Sequence, residues 1–82
     1  MESNETTIEL WPNPVSSGST LTISASEVNE VLVYDLLGNK FDLPTRLSDS
    51  EIQVETEGLA TGTYMIQVNQ LNQAKTLKFE VF

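Results

Sequence analysis

Apolar residues recur at every second position in short runs along this chain, and turn-forming residues separate the runs. That period predicts strands, because successive strand side chains point to opposite faces. Residues 6–11 predict a first strand, ended by Trp11-Pro12-Asn13-Pro14. Proline lacks a backbone donor and fixes φ, so the strand stops there. Residues 14–19 read as a loop, and Leu21, Ile23 and Ala25 line one face of a second strand. In residues 30–35, Val31 and Val33 alternate with Leu32 and Tyr34, so both faces are apolar. That predicts a central strand covered on each side. Gly38-Asn39 signals a tight turn into a short strand at 40–43, which Pro44 ends. Residues 45–50 read as a polar loop. Ile52 and Val54 mark the fifth strand, Tyr64, Ile66 and Val68 the sixth, and Leu77, Phe79 and Val81 the seventh. The turn between the last two falls at 70–74.

No window holds an apolar period of 3.6, so no helix longer than a turn is predicted. Seven short strands at this spacing read as an all-β, immunoglobulin-like antiparallel sandwich of two sheets. The expected core is Ile8, Leu10, Leu21, Ile23, Val31, Val33, Phe41, Ile52, Val54, Leu59, Tyr64, Ile66, Val68, Leu77 and Phe79. In the segment Leu59-Ala60-Thr61-Gly62-Thr63-Tyr64, a tyrosine opens a strand just after a glycine. A tyrosine at such a corner fills the end of the core and ties its hydroxyl to backbone upstream.

With 82 residues, the chain holds one small domain, which buries only about 60% of its unfolded surface. Its stability is expected at roughly 4–12 kcal/mol. Residues 8–82 form that domain, and residues 1–7 read as a linker or added segment. Twelve acidic residues against four basic ones give a formal charge of −8. That balance repels phosphate backbones and argues against nucleic-acid binding. No apolar run is long enough for a membrane span, and residues 1–5 do not read as a signal peptide.

Cysteine and histidine are both absent, which removes disulfides, thiolate metal sites and the commonest general base. Lys40, Lys75 and Lys78 fall at exposed positions, where lysine stays protonated and activates no serine. Asp49-Ser50-Glu51 and Glu55-Thr56-Glu57 lack the spacing of a calcium loop and read as solvated turns. No catalytic, metal-binding or cofactor-binding residue is expected, and the domain reads as non-enzymatic.

Four marks remain, in order: Trp11-Pro12-Asn13-Pro14, Val33-Tyr34-Asp35-Leu36-Leu37-Gly38, Leu59-Ala60-Thr61-Gly62-Thr63-Tyr64, and a lysine-containing last strand. Together they resemble the carboxy-terminal sorting domain of type IX (Por) secretion in Bacteroidetes-type bacteria. The resemblance covers residues 9–82. It implies a non-catalytic signal that carries a larger cargo from the periplasm through the outer-membrane translocon. Removal by a cell-surface sortase and anchoring of the cargo at the surface usually follow. The partners it implies are the translocon and its shuttle proteins, and the sortase.

By the same resemblance, Pro12, Asn13 and Pro14 match the opening motif, Asp35 and Gly38 the second, and Gly62 and Tyr64 the third. Lys78 falls where the family's last strand carries a basic residue, whereas Glu80-Val81-Phe82 departs from the lysine or arginine with which many relatives finish. Asn13 is expected to cap the turn between its prolines. The last strand, with Lys75, Lys78 and terminal Phe82, is the segment a partner would capture by strand addition. Exchange of that strand between two copies would give a swapped homodimer. The competing reading is an accessory immunoglobulin-like or fibronectin-like module that spaces domains or binds carbohydrate. Trp11 and Phe82 are the aromatics left over for such a role.

Overall fold

The computed structural model describes residues 8–71 and 73–82. Residues 1–7, which include the start of the first expected strand, and Asn72 in the last turn lie outside them. The described residues form eight strands: β1 (Glu9–Trp11), β2 (Thr20–Ser24), β3 (Val28–Asp35), β4 (Lys40–Phe41), β5 (Thr45–Leu47), β6 (Glu51–Glu55), β7 (Gly62–Gln70) and β8 (Ala74–Val81). They pair antiparallel into two four-stranded sheets, ordered β1-β2-β6-β5 and β4-β3-β7-β8. The all-β sandwich is therefore as expected, with one strand more.

The extra strand is β5, in the stretch read as a loop. Thr45, Arg46 and Leu47 are all exposed, so their side chains carry no half-buried period. Backbone pairing with β6 alone defines the strand, through Thr45↔Val54, Arg46↔Gln53 and Leu47↔Ile52.

Leu21 and Ile23 of β2 meet Ile52 and Val54 of β6 within the first sheet. Val33, Tyr64, Ile66, Val68 and Phe79 project from the second sheet into the same core. Burying each large side chain stabilises by about 1.5–3 kcal/mol before ordering costs. Leu10, Val31, Phe41 and Leu77 are only half-buried against this core, while Val15, Ala25 and Val81 are buried in it. β3 lies inside its sheet as expected, but among the described residues only one of its faces has a second layer. Val33 is buried, whereas Leu32 and Tyr34 are half-buried on the outer face.

Candidate functional site

The two prolines do end β1, and the segment they open crosses from one sheet to the other. Both the Trp11–Pro12 and Asn13–Pro14 peptide bonds are cis. Beyond them the chain runs beside the end of β8 in a parallel bridge, Val15↔Val81. Val15 N–H donates to the Glu80 carbonyl at 2.8 Å, Phe82 N–H to the Val15 carbonyl at 2.9 Å, and Ser17 N–H to the Phe82 carbonyl at 2.9 Å. Val15 itself is fully buried.

Asn13 is not a local turn cap. Its Oδ1 accepts the Glu80 N–H at 3.0 Å, and its Nδ2 makes a long contact of 3.5 Å with the Lys78 carbonyl. The side-chain amide thus stands in for one more peptide of a neighbouring strand. Residues 13–17 form a strap over the carboxy-terminal half of β8. Flanking Pro12 and Pro14 are exposed.

Asp35 ends β3 and organises the turn behind it. Its Oδ1 accepts the Leu37 and Asn39 N–H groups, each at 2.9 Å, and its Oδ2 accepts Asn39 Nδ2 at 2.9 Å. Gly38 N–H closes the turn onto the Asp35 carbonyl at 3.1 Å, and Asp35 N–H donates to the Asn39 carbonyl at 2.9 Å. Gly38 has φ of +90°, a conformation that a Cβ would strain. These bonds favour the charged carboxylate. The Asn39 side chain and then its backbone N–H hold the Asp35 carboxyl below its ordinary value of 3.8, against desolvation, with Leu37 and Gly38 N–H adding to the effect.

Tyr64 is the expected corner: its hydroxyl donates to the Ala60 carbonyl at 2.6 Å, and the ring is buried. It stacks on Phe79 with centroids 5.6 Å apart and meets Phe41 edge-on at 5.6 Å. Gly62 begins β7 opposite Val81.

The second and third motifs meet the last strand in one row of the sheet. Asp35 pairs with Tyr64, Tyr64 with Phe79, and the strap lies against residues 80–82. Motifs dispersed along the sequence therefore converge on one end of the β4-β3-β7-β8 sheet. Lys75 lies toward the other end of β8, whereas Lys78 borders the strap through its carbonyl; both side chains are exposed. Phe82, just after β8, has an exposed side chain, while its backbone pairs with Val15 and Ser17 of the strap. Trp11 is also exposed, but it lies on β1 in the other sheet, so the two leftover aromatics form no row.

One organising residue escaped the sequence reading. Thr56, read as part of a solvated turn, is fully buried. Its hydroxyl donates to the Ser19 carbonyl at 2.6 Å and accepts the Gly18 N–H at 3.1 Å. It thereby fastens the loop that follows the strap. The available signal was its position two residues beyond Val54, continuing the inward period of β6.

Among the described residues, no three acidic side chains converge as a metal site, and no helix is long and apolar enough to cross a membrane. A search of curated proteins and one of solved structures returned no match. Residues 9–81 match the family described as the secretion system C-terminal sorting domain. Domains of this family are type IX secretion signals, generally non-catalytic, that work with the type IX machinery and mark proteins for the cell surface or the exterior. With the match spanning almost the whole chain, this chain belongs to the type IX secretion C-terminal sorting domain family.

Proposed function

We propose that this domain is the export address of a larger protein, read in the periplasm by shuttle and translocon proteins, then removed by a surface sortase as the cargo is anchored. The observation that carries this reading is the family match over residues 9–81. The geometry supports it in a specific way. Asp35, Gly38, Gly62 and Tyr64 each hold backbone in place, so the domain offers a surface already ordered before any partner arrives. A preorganised surface loses little freedom on binding. Pro12 and the strap residues Asn13 and Pro14 contribute to that surface, as do Lys75 and Lys78 of β8 and Phe82 just after it.

The test is a fusion of this chain to the end of a periplasmic fluorescent reporter, expressed in a bacterium with a type IX system. Surface or medium fluorescence is expected from the intact fusion. A fusion lacking residues 76–82 is expected to stay in the periplasm. Sortase removal predicts that the surface-bound reporter has lost the mass of the domain. Periplasmic retention of a folded intact fusion would overturn the address reading in favour of an accessory module.

A further inference from the structure

We propose that residues 74–78 of β8 are a strand-addition site for an extended acidic segment of another protein. The proposal rests on the sorting-domain reading and names the contact through which such a domain is held.

β8 is the outer strand of its sheet, with β7 on one side. Among the described residues, its other side is occupied over only half its length. The backbone groups of Glu80 and Phe82, and the Lys78 carbonyl, face the strap. Backbone direction alternates along a strand, so the N–H and carbonyl of Thr76 and the N–H of Lys78 point to that same side. Among the described residues, none of these three groups has a backbone or side-chain partner on it. The strap stops at Asn13, which leaves a short open ladder upstream of it.

An open edge pairs with whatever strand reaches it unless charge selects among partners. Here Lys75 and Lys78, half of the chain's four cations, flank Thr76. Alternation puts Lys78 on the outer face with Thr76 and Lys75 on the opposite face with Leu77. A complementary segment carries one carboxylate opposite each lysine, hence three residues apart and on opposite faces. Cross-strand charge pairs of that kind are favourable, and like charges are not. A second copy fits poorly. Its own edge offers Ala74, Lys75, Thr76, Leu77 and Lys78, with no carboxylate, and antiparallel self-pairing would gather lysines from both copies.

The test uses the full chain in the reporter fusion. Thr76→Pro removes only an outward donor, so no β7 ladder bond is lost, and proline is tolerated on such an edge. Lys75→Glu with Lys78→Glu reverses the charge without touching the backbone. Both variants are expected to keep the thermal midpoint of the parent and to lose export about tenfold, equivalent to about 1.4 kcal/mol. Arg46→Glu on β5 reverses a cation on the other sheet and is expected to leave export unchanged. Normal export of the charge-reversal pair overturns the proposal and leaves the address reading standing. So does an equal loss in Arg46→Glu, which would assign the effect to net charge. If the intact fusion is not exported, the address reading itself fails. Sedimentation of the purified chain covers the remaining occupant: a dimer abolished by Thr76→Pro assigns the edge to a second copy and overturns the proposal. Should Thr76→Pro lower the midpoint, the exposed lysine pair decides.

Discussion

The two halves of β8 belong to one strand and one ladder, yet they face different surroundings. From Phe79 to Val81 the strand is flanked on both sides, by β7 and by the strap, and it places Phe79 and Val81 in the core. From Ala74 to Leu77 it has β7 alone among the described residues, with its side chains exposed or half-buried. The difference separates residues engaged in holding the fold from residues left available to a partner. Asn13, expected to cap its own turn, bonds instead to the distant last strand, and Tyr64 ties its corner to upstream backbone as expected. Lys75 and Lys78, in the segment expected to be captured by strand addition, border backbone that has no second partner among the described residues.

The largest expected break in this comparison comes from truncating one core side chain in each half. Phe79→Ala should cost about 3–5 kcal/mol, since the ring is fully buried against Tyr64. Against a total of roughly 4–12 kcal/mol, that leaves a marginal domain. Leu77→Ala, half-buried two residues earlier, should cost about 1 kcal/mol. Urea midpoints measure both. Equal losses would mean that the open half is as deeply built into the core as the covered one.

A middle-sized effect is expected where the strap is anchored. Thr56→Val keeps the shape but deprives Gly18 N–H of its acceptor and Ser19 of a donor, at about 1–2 kcal/mol. Asn13→Ala is milder, about 0.5–1 kcal/mol, because Asn13 is exposed. Its sharper readout is local. Amide exchange at Glu80 should accelerate to resemble the open half, while exchange at Phe82, bonded to Val15, stays slow. Unchanged protection at Glu80 would show that the strap covers β8 without its first side-chain link.

Much of this was legible in residue order, for a physical reason. β2, β6 and β7 each have one buried face, which writes period two directly into the sequence. The Asp35 turn and the Tyr64 corner are local, with partners within four residues, so their chemistry shows in a short window. What stayed hidden depends on contacts between distant segments. β5 has no buried face, Val15 is an isolated apolar residue in a polar loop, and the partner of Asn13 lies 67 residues away. The second apolar face of β3 predicted a covering layer that the described residues do not fold over it. Leu32 and Tyr34 remain half-buried on the outside, beside Met65 across the ladder from Tyr34.

The smallest effect expected concerns pH, and it acts on one end of the molecule only. The folded Asp35 carboxyl lies below 3.8, so the native state binds fewer protons than the unfolded chain as pH falls toward that value. Stability from this group is therefore complete above the unfolded pKa and is lost as pH drops through the folded one. Acid should loosen the turn at Leu37 and Asn39, whose N–H groups depend on the carboxylate. The opposite end of the sheet is closed by Gln70 N–H on the Gln73 carbonyl at 2.7 Å, with no carboxylate in that bond. Amide exchange compared between pH 5 and pH 3, after correction for the intrinsic rate, should rise at Leu37 and Asn39 and hold at Gln70. Asp35→Asn removes the titrating group and should abolish the difference between the two pH values. If Leu37 responds to pH as before in that variant, the turn is held by Gly38 and the backbone bonds, and the carboxylate is incidental to it.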